Sequence, residues 1–269
     1  MIKQELSRRQ SLKYLAAAGV GAASVGQLRA AEIGTASRQL ENVTKRRPRI
    51  VAFDVIETLF DTKPLDPLLS SIGLPGGSLR VWFARFLRDA FALEVIGEYR
   101  PFHEVAAASL EALLLEHRLE AGREKIDKVL SGFAELPPHS DVKPAFQSLR
   151  DAGVRIITLT NGSSGTTGKM LAKAGLESFV EQTLSIDQVK QWKPARAVYL
   201  HAAKMMKVEP HEMALIAAHD WDTGGAGRAG LSTGGVMRAG KHFSTALPAP
   251  DVVGNNLIEV VRRLMELPA

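Results

Sequence analysis

The chain has 269 residues, of which 45% are hydrophobic and 23% are charged, which is typical of one large α/β domain or of a core domain with an insertion. It contains no cysteine, which excludes disulfides, thiol nucleophiles and thiolate metal sites. The formal net charge is +5, but residues 1–31 hold five basic residues against one acidic residue. The remaining 29 basic and 28 acidic residues leave a net charge of +1, without the clustered positive charge that nucleic-acid binding requires.

The first 31 residues have the features of an export signal. Residues 7–13 contain the paired arginines Arg8 and Arg9, and they precede a weakly apolar stretch at 14–25 and small residues at 30–31. This order resembles a twin-arginine signal, which implies export to the periplasm and cleavage of residues 1–31, followed by a linker at 32–48. An amphipathic N-terminal helix is the alternative. The apolar stretch is too short to span a bilayer, so no membrane span is expected.

The chain from residue 49 onwards reads as an α/β core with a helical insertion. A short apolar run at 50–53 predicts a buried parallel strand that ends at Asp54. Residues 65–138 have helical spacing throughout, whereas strand and helix patterns alternate from 143 to 237 before a last amphipathic helix at 256–265. We therefore predict a three-layer, Rossmann-like core with a parallel sheet, formed by 49–64 and 139–269, and a helical cap domain formed by 65–138.

Four motifs in order resemble the haloacid dehalogenase superfamily. They are Phe-Asp-Val-Ile-Glu-Thr-Leu-Phe-Asp at 53–61, Leu-Thr-Asn-Gly-Ser at 159–163, Lys-Pro at 193–194 with Tyr199 six residues after the lysine, and Ala-Ala-His-Asp-Trp-Asp at 217–222. Each motif falls at the end of a predicted strand or the start of a predicted helix. The resemblance covers nearly all of the chain from residue 49 and implies a hydrolase with a nucleophilic aspartate at Asp54.

Two departures from the superfamily pattern indicate the branch. Phosphatases of this superfamily have a second aspartate two residues after the nucleophile, but Ile56 occupies that position, and Ala218 stands where a metal-binding aspartate is usual. Apolar side chains cannot supply the oxygen ligands that magnesium needs. We therefore expect no metal and no cofactor, and a nucleophilic substitution that needs only a carboxylate, a carbon with a leaving group and a place for the departing anion. The resemblance is thus to the 2-haloacid dehalogenase branch.

The branch mechanism assigns roles to five residues. Asp54 attacks the carbon that carries the halogen, and water then hydrolyses the aspartyl ester. The water-activating group of common members would here be Lys193, His219 and Asp222, with His219 in place of an asparagine. Glu57 replaces a usual glycine, and a carboxylate that orients an imidazole is a familiar base arrangement. We predict a Glu57 and His219 dyad with Lys193 holding Asp54 ionised, although the choice of Lys193 or His219 as the base stays open.

Substrate contacts are predicted from the same motifs and from the cap. Hydrogen bonds to the substrate carboxylate are expected from Thr58, Thr160 and Asn161, and the branch motif adds Tyr199 to the site. Arg85 is a candidate for the halide or the carboxylate, whereas Trp82 and Phe86 are candidates for an apolar wall. The alternatives are a surface salt bridge for Arg85 and helix core positions for Trp82 and Phe86.

Three functions remain open from the sequence. The favoured one is hydrolysis of small 2-haloacids without a metal, by a protein for which a homodimer is compatible with the branch. A metal-dependent phosphatase of unusual pattern would reveal itself by magnesium-dependent turnover of a phosphoester. A non-catalytic binding protein would keep the fold and form no ester intermediate.

Overall fold

The structure is a computed structural model that describes residues 45–238 and 241–268. The predicted signal at 1–31 and most of the predicted linker lie outside the described residues. The strands are β1 (Ile50–Phe53), β2 (Arg155–Thr160), β3 (Gln182–Ser185), β4 (Met213–Ala217), β5 (Ser232–Val236) and β6 (Val252–Gly254). The helices are α1 (Leu65–Ser71), α2 (Ser78–Ile96), α3 (Phe102–Glu116), α4 (Arg123–Ser131), α5 (Val142–Asp151), α6 (Ser164–Lys173), α7 (Arg196–Met206), α8 (Asp220–Ala229) and α9 (Leu257–Met265).

The six strands form one parallel sheet in the order β3-β2-β1-β4-β5-β6. The chain builds outwards from β1 to β2 and β3 on one side, and from β4 to β6 on the other. The order therefore reverses between β1 and β4, and ligands bind to open α/β sheets at the carboxyl ends of strands that flank such a reversal. β1 is fully buried, as its continuous apolar sequence predicts.

Helices cover both faces of the sheet. Adjacent residues of a strand face opposite sides, and in β5 a Cβ atom on Gly234 would lie 2.6 Å from Val260 of α9. On the other face, Gly227 of α8 packs near Thr233 of β5. Helix α9 also contacts α5, and α8 contacts α7. The predicted three-layer α/β core is confirmed.

Helices α1 to α4 lie in the predicted insertion, between β1 and α5. The two connections that lead into and out of it pair like short antiparallel strands, because Asp61 donates to Pro137 O at 2.9 Å and His139 donates to Leu59 O at 2.9 Å. A short 3₁₀ turn, Gly132–Glu135, ends the helical segment. The boundary of a separate cap domain at 65–138 stays a prediction, as does a homodimer.

Helix α2 is fixed to the loop that carries Lys193. The carboxylate of Glu94 accepts hydrogen bonds from the backbone N–H of Trp192 at 2.7 Å and from the side chain of Gln191 at 3.1 Å. The rings of Phe86 and Trp192 meet edge to face with their centres 5.6 Å apart. The insertion is thereby positioned over the carboxyl ends of the strands. None of the helices in the described ranges is both long and apolar enough to cross a bilayer.

Candidate active site

Asp54 lies at the carboxyl end of β1, where its backbone N–H continues the sheet by donating to Ile216 O at 3.0 Å. Its side chain is buried and accepts a hydrogen bond from Lys193 Nζ on Oδ1 at 3.2 Å. The other oxygen, Oδ2, accepts from Thr58 Oγ1 at 2.7 Å and lies 3.2 Å from Nδ1 of His219. Burial by itself would raise the pKa of Asp54, but Lys193 and His219 outweigh it and hold the pKa well below the usual range. Asp54 is a carboxylate anion with little access to water.

Lys193 lies between two carboxylates at the centre of the site. Its side chain is fully buried, and Nζ is 2.8 Å from Asp222 Oδ2 as well as 3.2 Å from Asp54 Oδ1. Burial would lower the pKa of Lys193, yet Asp222 and Asp54 together raise it above the ordinary value. The second oxygen of Asp222 accepts from the hydroxyl of Tyr199 at 2.7 Å. Lys193 therefore stays protonated, which stabilises Asp54 as an anion but leaves no free base on the lysine.

His219 follows β4, directly before α8, and both of its ring nitrogens face carboxylates. Nε2 lies 2.8 Å from Glu57 Oε2, and Nδ1 faces Asp54. Burial would lower the pKa of His219, but hydrogen bonds to the two carboxylates raise it to about 9. His219 is therefore an imidazolium in the resting enzyme at neutral pH, with both N–H groups donating.

Two aromatic rings lie nearly parallel to the ring of His219. The ring of Trp221 is 5.0 Å away between centres, at an interplanar angle of 25°. The ring of Phe83, from α2, is 6.2 Å away at 22°. Aromatic faces attract a cation, so these neighbours favour the protonated ring and restrict its rotation.

Glu57 occupies a sharp turn after β1. Its φ of 64° lies in the left-handed region, which is uncommon for a residue other than glycine. The turn is held by the N–H of Glu57, which donates to Phe60 O at 2.9 Å, and by a ring nitrogen of His139, 3.2 Å from Glu57 O. Burial would raise the pKa of Glu57, but His219 and Lys241 lower it to about 2. Glu57 therefore presents a permanent negative charge to His219.

The hydroxyl of Thr58 is engaged within the protein. It donates its proton to Asp54 and accepts a hydrogen bond from the backbone N–H of Ala218 at 2.9 Å. In the structure the single hydroxyl proton of Thr58 is shared with Asp54, so the expected hydrogen bond from Thr58 to the substrate stays a prediction. Thr58 orients the carboxylate of Asp54.

Thr160 and Asn161 follow β2 and keep donors available. Thr160 Oγ1 accepts from Gly162 N at 2.9 Å, and Asn161 Oδ1 accepts from Lys193 N at 3.2 Å. Within the part of the chain that the structure describes, the hydroxyl proton of Thr160 and the amide protons of Asn161 have no acceptor. Both side chains can therefore donate to an anionic ligand, and their contact with a substrate stays a prediction.

A cavity of about 250 Å³ lies next to these loops, between the helical insertion and the core. Its apolar wall comes from both parts of the chain and consists of Ile56, Phe102, Leu130, Phe133 and Met170. The polar side chains that line it are Thr160, Ser163, Thr166, Thr167, His103 and Asp187, and among the described residues no lysine or arginine lines it. The apolar wall can hold the organic part of a small ligand.

Four residues predicted to contact the substrate have other contacts in the structure. Arg85 forms a two-pronged ion pair with Glu116, with both N–O distances at 2.6 Å. The indole N–H of Trp82 is shared between Ala106 O and Ser109 Oγ inside the insertion. Phe86 packs on Trp192, and the buried hydroxyl of Tyr199 is taken by Asp222. These four side chains therefore have partners within the protein.

Three neighbours of Glu57 and His219 were not predicted from the sequence. Trp221 lies within the fourth motif, between His219 and Asp222, so its position was a usable signal. Phe83 follows Trp82, but spacing alone does not tell which face of α2 meets the core. Lys241 Nζ lies 2.6 Å from Glu57 Oε2, and no motif singled it out.

The acidic groups around Asp54 are each neutralised by side chains. Asp222 contacts Lys193 and Tyr199, and Glu57 contacts His219 and Lys241. Over residues 45–238 and 241–268, no group of three or more histidine, aspartate or glutamate side chains is arranged to hold a metal ion. The arrangement can present an anionic nucleophile, and it can move a proton at His219.

Comparisons with known proteins agree with this geometry. A family profile described as haloacid dehalogenase-like hydrolase matches residues 48–230. The (S)-2-haloacid dehalogenase 4A of Burkholderia cepacia is 26% identical over 194 residues, which cover 71% of this chain and 84% of that protein. The (S)-2-haloacid dehalogenase 2 of Pseudomonas sp. (strain CBS-3) is 26% identical over 214 residues, which cover 79% of this chain and 93% of that protein.

A solved structure shares the fold. The L-2-haloacid dehalogenase from Xanthobacter autotrophicus, with chloropropionic acid covalently bound, superposes with a TM-score of 0.76 at 22% identity, covering 82% of this chain and 99% of that chain. The profile match extends over more than half of the chain, from just before β1 to the end of α8. The chain therefore belongs to the haloacid dehalogenase-like hydrolase family, and its relatives are hydrolases that act on carbon–halide bonds.

Proposed function

We propose that this protein hydrolyses small (S)-2-haloacids through an ester on Asp54, with water activated by Glu57 and His219. The observation that carries the proposal is the buried, ionised carboxylate of Asp54, flanked by Lys193 on one oxygen and by Thr58 and His219 on the other. A carboxylate shielded from water is a stronger nucleophile towards carbon than a solvated one. The names of the relatives indicate the substrate class.

The first step is displacement at the carbon that bears the halogen. A carboxylate oxygen of Asp54 forms a bond to C2 as the carbon–halogen bond breaks, and the electron pair leaves with the halide. The free donors of Thr160 and Asn161 bind the charged groups of the substrate. In the related Xanthobacter autotrophicus structure, chloropropionic acid is bound covalently, which is the kind of adduct that this step produces.

The second step is hydrolysis of the ester, and the charges around His219 support this order of the two steps. Esterification removes the negative charge of Asp54, which is one of the two carboxylates that raise the pKa of His219. The pKa of His219 therefore falls, and the ring releases its Nδ1 proton to solvent. The Nε2–H group of His219 stays hydrogen-bonded to Glu57. Nδ1 then faces the ester as a base and takes a proton from water as that water attacks the ester carbonyl. The carbonyl carbon releases the 2-hydroxyacid, and Asp54 is regenerated.

Lys193 supports this step without acting as the base. It is protonated between Asp54 and Asp222, and its ammonium group lies where negative charge develops on the ester oxygen during attack. Thr58 holds the second oxygen of the same group. Of the two bases left open by the sequence, His219 is favoured because the ordinary pKa of an imidazole, 6.5, lies near neutral pH, whereas Lys193 keeps its partner Asp222 when Asp54 is esterified.

Asp54→Asn should abolish halide release, because a neutral amide cannot displace the halide. The measurement is bromide released from bromoacetate and from 2-bromopropionate by the purified protein, with a chelator present and absent. Wild-type release should be unaffected by the chelator. The folded state of the variant is checked by circular dichroism, and bromide release at the wild-type rate by folded Asp54→Asn would contradict the proposed nucleophile.

His219→Ala should form the ester but hydrolyse it slowly. Loss of a general base reduces a rate by about 10²- to 10⁴-fold, so one equivalent of bromide should appear in a burst and turnover should then stall. Mass spectrometry of the stalled protein should find the peptide that contains Asp54 carrying the substrate, bound through C2 and without its bromine. Steady turnover of His219→Ala without a burst would mean that another residue is the base. Absence of any adduct in both the wild type and His219→Ala would favour a non-catalytic role.

We also propose export to the periplasm, from the paired arginines and the apolar stretch at 14–25. Replacement of both Arg8 and Arg9 by lysine keeps the charge and removes the twin-arginine pattern. The wild-type chain should be recovered from the periplasmic fraction in a shortened form, and the double variant should remain full length in the cytoplasm. Equal distribution of the two proteins would contradict export by this route.

A further inference from the structure

Lys241 follows β5 and reaches back to the catalytic dyad. Its Nζ lies 2.6 Å from Glu57 Oε2, and the same oxygen lies 2.8 Å from His219 Nε2. We infer that Lys241 is a positioning residue for ester hydrolysis, because its ammonium group holds the Glu57 carboxylate against the imidazole of His219. The inference rests on the proposed function, in which His219 activates water.

Glu57 needs such a partner because, among the described residues, His219 is the only other hydrogen-bonding or charged partner of its side chain. Its left-handed φ of 64° has a conformational cost that the surroundings must offset. The side chain is 19% exposed, so water competes with His219 for the carboxylate. A cation on the same oxygen opposes rotation of that carboxylate towards solvent, and it keeps the oxygen ionised.

Two residues that follow Lys241 anchor its loop to the core. The ring of Phe243 lies against Gly235 of β5, where an added Cβ atom would come within 2.6 Å of it. The backbone N–H of Ser244 donates to Asp220 Oδ2 at 3.0 Å, and Asp220 is the first residue of α8. Lys241 is therefore held close to His219 by contacts that do not involve its own side chain.

The charges around the dyad determine what Lys241 does to the reaction. His219 faces Asp54 and Glu57, with Lys193 beyond Asp54, while Glu57 faces His219 and Lys241. On the backbone of the same turn, His139 approaches Glu57 O and Arg238 donates to Thr58 O. Lys241 lowers the pKa of Glu57, and a weaker acceptor raises the pKa of His219 less. Lys241 thus makes it easier for His219 to become neutral once Asp54 is esterified.

The test compares Lys241→Met with Lys241→Arg, and Lys125→Met is the matched control. The side chains of Lys241 and Lys125 are similarly exposed, at 42% and 38%, and Lys125 pairs with Glu120 in the insertion. Single-turnover experiments with 2-bromopropionate between about pH 6 and about pH 10 follow the bromide burst and the decay of the ester separately.

We expect Lys241→Met to leave the burst within about twofold and to slow ester decay on the order of tenfold at neutral pH, the low end for impairment of a base. Its pH midpoint for ester decay should move to higher pH, because removal of a positive charge favours the protonated form of His219. Lys241→Arg should restore both values, and Lys125→Met should match the wild type. An unchanged midpoint, or an equal loss in both steps that arginine does not rescue, would overturn the inference.

The proposed function and the role of Lys241 fail in different ways. If neither the wild type nor His219→Ala forms an adduct on Asp54, the ester mechanism is contradicted, whereas normal bromide release with unaltered ester decay in Lys241→Met contradicts only the positioning role. An NMR titration of His219 in the free protein decides the latter without turnover. The midpoint should be higher in Lys241→Met than in the wild type, and equal midpoints would overturn the inference.

Discussion

The buried charge of Asp54 is the constraint on which the rest of the site depends. A carboxylate taken out of water is costly unless cations and hydrogen bonds compensate it. Here three carboxylates and three cations alternate through the crevice, in the order Asp222, Lys193, Asp54, His219, Glu57 and Lys241. The row is balanced in the free enzyme, and every cation contacts at least one carboxylate. In the proposed mechanism, esterification of Asp54 would remove one negative charge from the middle of this row, and release of a proton from His219 would restore the balance.

The fold supplies this row because its members follow strands and loops that meet at one edge of the sheet. Asp54 and Glu57 follow β1, His219 and Asp222 follow β4, and Lys193 precedes α7. Helix α2 contacts the loop of Lys193 through Glu94, and it contacts His219 through the ring of Phe83. The insertion therefore does more than cover the crevice, because it holds the loop of one cation and stacks on the ring of another.

The sequence predicted the parts of the site that lie at strand ends. Asp54, Lys193, His219 and Asp222 could be identified because they fall in motifs that resemble the haloacid dehalogenase superfamily, and the structure brings their side chains together. Thr58 and Tyr199 were placed in the right region, but their hydroxyl protons go to Asp54 and Asp222 rather than to a ligand. Which of two nearby acceptors receives a proton depends on distances of tenths of an ångström, which motifs do not encode.

Contacts between residues on different helices or loops could not be predicted from the sequence. Arg85 finds Glu116 on the neighbouring helix α3, 31 residues away, and spacing within one helix says nothing about the face of the next. Lys241 belongs to a loop without periodic pattern, so only the folded chain shows that it reaches Glu57. Stacking of Phe83 on His219 has the same origin, since it depends on how α2 is tilted over the sheet.

The central claim is that the charge of Asp54 controls the protonation of His219. The most direct measurement is a nitrogen NMR titration of the His219 ring in the free enzyme and in the same enzyme carrying a stable alkyl ester on Asp54. If Asp54 controls His219 in this way, the ring is an imidazolium with a pKa of about 9 in the free enzyme, and its pKa is clearly lower in the ester. An unchanged pKa after esterification, or a neutral ring in the free enzyme at pH 7, would contradict it.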